Sequence, residues 1–471
     1  MRQLPGDSYA RMRQDYGAVV PINLDPAGTE NGTPALLVIG YDELRQVGGD
    51  DDLFSRDPQY WREWREGRVP PQWWLLPQIQ KRNNTRFKDT PEHGPRREAL
   101  IAALKQVDLK QLRLTVESYA DQLIDRFCEM GKVEVIQEYA RPLPLFVLAH
   151  VFGLRSPGAQ GDLVDLIHQM LSGGQQAQSA DVQITAILKN LVEDRSRTPH
   201  HDLASYLIQA APGLDAEAVR EDLWLMIAAG AGAATGWIAN SLQQIATDRQ
   251  LRSDLIGGRA NYEEVLRQTM WNAPPAANVM AAFPRQDVWL GGRHVRAGEM
   301  LVLGLEGGNY DPTLLTDDRP EFVRHNRSHL GFGIGAHRCP KPAHELGELI
   351  AHVALERLWA RCTPTGLVYP GEPLNWGPAF VVRQLVALDL KFAPSTPGAS
   401  RPAPLVSGGT ACPSPIPGPP TASPPRTSFR STSHSAGSTS PAATSTPRGR
   451  TSRHSDRSSR WRSLIQWWRG R

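Results

Sequence analysis

The chain has 471 residues, 40% of them hydrophobic, so it is long enough to bury a large core, and length alone allows two or three domains. Its four scattered cysteines form no CxxC pair and no disulfide-like framework, which excludes a disulfide-rich scaffold and a cysteine-based zinc site. Cysteines that are few and widely spaced predict a reducing, cytoplasmic location. The first residues contain no apolar stretch, so neither a signal peptide nor an N-terminal anchor is expected.

The formal net charge of +3 is divided unevenly along the chain. Residues 393–471 contain eleven arginines and a single acid, Asp456, which gives +10, whereas residues 1–392 carry −7. The basic segment is rich in Pro, Ser, Thr and Gly, which predicts a disordered tail after a folded domain at 1–392. Its last residues mix Trp with Arg and suit an acidic partner or an anionic membrane surface, and a non-functional extension is equally compatible. No folded nucleic-acid-binding motif is present, so no nucleic acid is expected.

The first 60 residues predict a small sheet flanked by helices. A short helical pattern over residues 9–16 is followed by strand patterns over 18–24 and 35–39 and by a helix from residue 41. Residues 110–220 then show successive amphipathic helices, with breaks at residues 141–142, 156–157, 172–174 and 211–213. This part gives no indication of a substrate.

Two further segments stand out for their composition. Leu223–Asn240 contains no charged residue, but its small residues, Thr235 and the preceding Glu221 favour a buried central helix over a membrane span. His93 and Arg97 lie one helical turn apart, and a cationic bidentate donor suits a carboxylate in a partly dry site. Taken alone, a histidine and an arginine four residues apart are more common on a solvated helix face.

The densest motif is the stretch Phe332-Gly-Ile-Gly-Ala-His-Arg-Cys339. Apolar residues at helical spacing follow it, so Cys339 is predicted to lie at a helix N-terminus, where amide groups and the helix dipole favour a thiolate. Gly333 and Gly335 let the backbone approach a large flat ligand closely. A buried structural cysteine is the plainer alternative for a lone cysteine.

This motif resembles the haem-ligating loop of the cytochrome P450 family, in which the cysteine thiolate is the axial ligand of the iron. The resemblance covers roughly residues 1–392 and implies a mainly α fold, with a large helical domain and a small β-sheet region near the N-terminus. Cys339 is the implied metal ligand. The residues implied to bind haem b are Phe332, Gly333, His337, Cys339, His93 and Arg97.

The same resemblance implies a haem-thiolate monooxygenase that inserts one oxygen atom into a small apolar organic substrate. Electrons are expected from NAD(P)H through ferredoxin reductase and ferredoxin. The alternative is a haem-binding protein of the same fold without oxygenase activity, which acts as a sensor or binds a partner. Two departures from the family pattern motivate that alternative.

The first departure lies in the central helix, where the family has A-G-x-x-T with an acid before the threonine to supply protons for O–O cleavage. A register that starts at Ala229 puts Gly232 in the acid position and Ala233 in the alcohol position. A register that starts at Ala231 keeps Thr235 as a tentative catalytic alcohol. The acid is missing in both.

The second departure lies before Pro275, where the family carries Glu-x-x-Arg. Counting back from Pro275 puts Gln268 and Trp271 in those positions, although Glu264 to Arg267 spells the motif one turn too early. Actinobacterial family members that lack the motif and have Cys-Pro-x-Pro after the ligand resemble this chain.

An arginine that binds a haem propionate in the family is also missing, because Ala281 and Ala282 stand in its position. The resemblance then leaves His93, Arg97 and His337 as the contacts to the propionates.

Overall fold

The computed structural model describes residues 5–25, 32–71, 73–172, 175–314, 326–377, 380–383 and 385–398. By its internal contacts the chain divides into two units, Met1–Ala403 and Pro404–Arg471, and every described residue belongs to the first. The amide of Ser395 donates to the carbonyl of Cys128 at 2.9 Å, so the folded unit continues past the predicted boundary at residue 392. The rest of the predicted tail lies outside the described residues.

Helices account for most of the described part of the first unit, and the predicted mainly α fold is confirmed. They are α1 (Pro5–Tyr16), α2 (Tyr41–Gly49), α3 (Arg62–Arg65), α4 (Leu76–Ile79), α5 (His93–Leu104), α6 (Leu109–Ile124), α7 (Pro142–Phe152), α8 (Pro157–Ser172), α9 (Gln175–Arg197), α10 (Leu203–Ala210), α11 (Ala216–Thr247), α12 (Arg249–Ile256), α13 (Tyr262–Asn272), α14 (Leu305–Asn309) and α15 (Lys341–Cys362). Helices α7 and α8 start with prolines at predicted breaks, because a proline in the first turn sacrifices no intrahelical hydrogen bond.

The strands form a small sheet near the N-terminus, as predicted, together with two lesser sheets. They are β1 (Val19–Asn23), β2 (Pro34–Val38), β3 (Phe54–Ser55), β4 (Lys132–Glu134), β5 (Val279–Pro284), β6 (Val288–Leu290), β7 (Arg293–Val295), β8 (Leu301–Leu303), β9 (Pro364–Leu367) and β10 (Asp389–Phe392). The main sheet has the order β1-β2-β8-β5-β3, in which β2 and β8 are parallel and the other pairs antiparallel. Strand β5, from the second half of the chain, therefore lies beside β3, from the first half.

Helix α11 crosses the core of the described fold. In this part of the chain it is the one helix long and apolar enough to span a membrane, and 61% of its most apolar 18-residue window is buried inside the protein. Its N-terminus is capped by Asp215, whose carboxylate accepts from the amide of Ala218. The burial matches the buried central helix that the sequence predicts.

Candidate functional site

Cys339 lies in a tight loop directly before helix α15. The amide of Cys339 donates to the carbonyl of Phe332 at 2.9 Å, which closes the loop. Gly335 has a φ of +71°, and a Cβ at this position would lie 1.4 Å from the carbonyl oxygen of Gly48 at the end of α2. Only glycine permits that approach. Helix α15 begins at Lys341, two residues after the cysteine, as the sequence predicts.

Phe332 holds this loop between two helices. Its ring stacks on the imidazole of His344 in α15, with 3.6 Å between the ring centroids. It also meets the indole of Trp237 in α11 edge to face, at 5.5 Å. Trp237 is itself fixed by a 3.0 Å hydrogen bond from its Nε1 to the carbonyl of Leu266 in α13. The position of the cysteine loop is therefore set by contacts with α11, α13 and α15.

The two predicted histidines meet beside the cysteine loop. The ring of His93, the first residue of α5, stacks on the ring of His337 at a centroid distance of 3.9 Å. Burial, with Arg97 next in effect, lowers the pKa of His93 to about 4. Burial and then Arg56 lower the pKa of His337 to about 2, so both rings are neutral near pH 7. The buried Nε2 of His337 has no hydrogen-bond partner among the described residues.

Arg97 and Cys339 complete the set of residues that the structure brings together. Arg97 lies close enough to Cys339 for the two side chains to affect each other's pKa. Burial raises the pKa of the Cys339 thiol to about 11, against the opposing effects of Arg97 and Arg338. The thiolate predicted from the helix N-terminus alone is therefore not favoured, because burial outweighs the helix dipole. A bound metal ion reverses this balance, since a coordinating thiol is deprotonated outright.

Helix α11 is held by contacts in its second half. A Cβ on Gly236 would lie 2.8 Å from the Cβ of Pro275, so glycine allows close packing there. The side-chain amide of Asn240 donates to the carbonyls of Ala273 and Arg383 at 2.9 and 3.1 Å. These contacts fix the rotation of the helix about its axis.

The two registers of the central helix differ in the exposure of their residues. Ala229 is exposed and Gly232 and Ala233 are partly exposed, whereas Thr235 is only 4% exposed. The register that starts at Ala229 therefore places accessible residues in the acid and alcohol positions. The register that starts at Ala231 places the buried Thr235, the tentative catalytic alcohol, in the alcohol position.

The comparisons with known proteins agree with this arrangement. No protein-family model matches the chain. The chain is 28% identical over 366 residues to a mycinamicin IV hydroxylase/epoxidase of Micromonospora griseorubida, covering 75% of this chain and 88% of that protein. It is 26% identical over 404 residues to the cytochrome P450 monooxygenase PikC of Streptomyces venezuelae, covering 82% and 91%. A solved structure described as "Testerone bound CYP154C4 from Streptomyces sp. ATCC 11861" matches with a TM-score of 0.73 and 25% identity, covering 83% and 96%.

These relatives and this solved structure are bacterial cytochrome P450s. The predicted resemblance, fold and enzyme class, a P450 monooxygenase, are thereby confirmed. Haem iron is the cofactor that these relatives imply.

Trp271 stands in the arginine position of Glu-x-x-Arg in the register counted back from Pro275. It is completely buried, and its Nε1 donates to the carbonyl of Asn326 at 2.7 Å. Glu264 instead belongs to a capping box with Asn261 at the start of α13. This use of Glu264 supports the register that places Gln268 and Trp271 in the motif positions.

The sequence reasoning missed two arginines in the same region, of which Arg56 is buried and Arg86 is partly buried. Arg56 donates from Nη1 to the carbonyl of Ala281 at 3.3 Å, and Arg86 donates to the carbonyl of Met280. These partners are 225 and 194 residues away along the chain, so no local sequence signal points to them. Both arginines also lie near enough to His337 to contribute to its lowered pKa.

The residues present fit haem b. Cys339 offers the soft thiolate that iron accepts, at the end of a loop whose glycines permit close approach. His337 has a buried nitrogen without a partner, and the neighbouring arginines provide donors suited to carboxylates.

Proposed function

We propose that this protein binds haem b through the thiolate of Cys339 and inserts one oxygen atom into a small apolar organic molecule. The observation that carries the proposal is the position of Cys339. It lies on a loop with two glycines at positive φ, near arginines that form no ion pair among the described residues. Such a site suits a metal-bearing ligand with an anionic edge. His93, Arg97 and His337 would hold that edge.

The accessible side of α11 supports an apolar substrate. Ala229, Gly232 and Ala233 offer no polar side-chain group, and a Cβ on Gly232 would lie 3.9 Å from Cγ2 of Val382. A wall of this kind recognises ligands by shape and apolar contact. The name of one relative, a mycinamicin IV hydroxylase/epoxidase, agrees with an organic substrate.

When bound, haem supplies the one-electron and dioxygen chemistry, and the protein supplies ligation, orientation and proton delivery. The Cys339 thiolate would hold the haem iron and donate electron density to it. Ala229, Gly232 and Ala233 carry no titratable group, so we propose that water held beside Ala229 and Ala233 delivers the protons.

The electrons are proposed to come from NAD(P)H through ferredoxin reductase and ferredoxin, in the cytoplasm. Arg338 is exposed next to Cys339, and the Lys341 side chain, two residues further on, is 86% exposed. Positive charge near the thiolate would attract an acidic electron-transfer protein and raise its rate of association.

Turnover tests the proposed activity. With ferredoxin, ferredoxin reductase and NAD(P)H, the holoprotein is expected to add one labelled oxygen atom from dioxygen to at least one compound of a broad apolar panel, as measured by mass spectrometry. The Cys339→Ala variant serves as the control and is expected to yield no such product. NAD(P)H consumption that produces only peroxide across the panel would favour the haem-binding protein without oxygenase activity.

The register of α11 predicts how two variants affect coupling between NAD(P)H consumption and product. Thr235→Val is expected to leave the ratio of product to peroxide unchanged, because Thr235 is buried away from the accessible positions. Ala233→Thr is expected to raise that ratio, since it places a hydroxyl at an accessible position where it can order water. If Thr235→Val alone clearly lowered the ratio of product to peroxide, the register that starts at Ala231 would be the correct one.

A further inference from the structure

Arg56 and Arg86 reach strand β5 from two separate segments. Arg56 directly follows β3, which pairs antiparallel with β5, and its Nη1 donates to the carbonyl of Ala281 at 3.3 Å. Arg86 donates to the carbonyl of the adjacent residue, Met280. Both guanidinium groups therefore lie where Ala281 and Ala282 provide no polar side chain. The backbone carbonyls orient them but do not neutralise their charge.

The segment that carries Arg86 is anchored to helix α11. The amide and hydroxyl of Thr85 donate to Oδ1 of Asp222 at 2.6 and 2.8 Å. Arg96 of α5 forms an ion pair with the other oxygen of this carboxylate at 2.8 Å. Both carboxylate oxygens of Asp222 thus have partners. Arg86 is held in a defined position but forms no ion pair among the described residues.

Positive charge dominates around these two arginines. Burial and the neighbouring Arg56 lower the pKa of Arg86 to about 10, and burial lowers the pKa of Arg56 to about 10. The buried Nε of Arg56 has no hydrogen-bond partner among the described residues. Arg97 also lies near this group and makes no ion pair within the described part of the chain. Burying guanidinium groups without counter-charges is costly, so an anion is expected here.

The carboxylates nearby do not balance this charge. Asp89 is already paired with Arg285 at 2.8 Å. Asp51 interacts with Arg56 and Arg97, and its Oδ2 lies 3.9 Å from Nε2 of the neutral His337. Among the described residues, neither Asp51 nor Asp89 forms an ion pair with Arg56, Arg86 or Arg97. An anionic ligand would supply the charge partner that these guanidinium groups lack.

We propose that Arg56 and Arg86 bind a propionate of haem b and take the place of the arginine that this chain lacks at Ala281 and Ala282. The inference rests on the haem site of the proposed function. It assigns carboxylate binding to two residues that lie outside the P450 motifs of this sequence. Arg86 is partly accessible, whereas Arg56 is only 5% exposed, and both donate to carbonyls of the same strand, β5.

The rate at which the ferric holoprotein loses haem to excess apomyoglobin tests the proposal. Arg86→Met and Arg56→Met are each expected to accelerate the loss about tenfold to a hundredfold, the range for a lost charge-assisted hydrogen bond. Arg86→Lys keeps the charge and should fall between wild type and Arg86→Met. The matched control is Arg113→Met, which removes a part-exposed arginine of α6 paired with Glu117 and Glu356 and should leave the rate unchanged.

Reconstitution with the dimethyl ester of haem b separates carboxylate binding from a structural role. With the ester, wild type and Arg86→Met should lose the cofactor at the same rate, because no carboxylate remains for Arg86 to bind. If Arg86→Met does not fold, Arg86→Lys is compared with wild type in the same way, and the difference between them should again vanish with the ester.

Equal rates of haem b loss from wild type, Arg86→Met and Arg113→Met would overturn the proposal. A difference between variants that persists with the ester would overturn it as well. Failure of the underlying haem site is distinguishable, because wild type itself would then show no thiolate-type Soret shift when CO is added to the reduced protein.

Discussion

Replacing Cys339 with alanine is expected to abolish the thiolate-type Soret shift that CO produces in the reduced protein. The signal depends on sulfur bound to iron, and Cys339 is the cysteine that lies beside Arg97 and His337. Burial raises the pKa of its thiol, and haem iron, when bound, would hold Cys339 as the thiolate. The measurement is the difference spectrum of reduced protein with and without CO.

The control for Cys339→Ala is Cys362→Ala, at the other end of the same helix. Cys362 is completely buried, and its sulfur lies 4.0 Å from Oγ of Ser395. Its removal should cost some stability but preserve the CO-induced shift. Survival of the shift in Cys339→Ala, or its absence from freshly purified wild-type holoprotein, would contradict the assignment of the ligand.

Local patterns in the sequence predicted much of the framework that carries Cys339. Pro142 and Pro157 mark helix starts because proline is tolerated only in the first turn, and that constraint is visible without tertiary contacts. The same holds for the start of α15, whose first turn contains Pro342. Features of this kind depend on neighbouring residues, so the sequence alone can indicate them.

The rotation of α11 could not be predicted in this way. Its middle is a run of alanine and glycine, which has almost no contrast between a polar and an apolar face. The rotation is decided by contacts with distant segments, among them the packing of Gly236 on Pro275. The sequence therefore leaves two registers open, with Thr235 or Ala233 in the alcohol position.

Charges in the site escaped prediction for a related reason. The sequence shows that Cys339 precedes a helix, but the burial that raises its pKa comes from the folded surroundings. Likewise, Arg56 and Arg86 are ordinary arginines until β5 is placed beside β3. Electrostatic properties depend on burial and on distant neighbours, which single-sequence patterns do not encode.

Trp271→Ala is expected to destabilise the folded protein by about 3–5 kcal/mol, the usual range for truncating a buried tryptophan. The indole fills a fully buried position and meets the ring of His329 edge to face at 6.1 Å. Its Nε1 also donates to the carbonyl of Asn326, in the segment that leads into the cysteine loop. We therefore infer that Trp271 connects α13 to this segment, the bracing that Glu-x-x-Arg provides elsewhere in the P450 family. Urea unfolding of the holoprotein measures the loss.

Two further tryptophan variants separate the causes of this loss. Trp271→Phe keeps most of the ring but leaves the Asn326 carbonyl without its donor, so a smaller loss of about 1–3 kcal/mol is expected. Trp289→Ala removes a side chain that is 68% exposed and should change stability by less than about 0.5 kcal/mol. If Trp271→Ala were no more destabilising than Trp289→Ala, Trp271 would not brace the fold. Asn309, whose side-chain amide donates to the last carbonyls of α13 and whose oxygen accepts from the amide of Leu330, would then carry this connection alone.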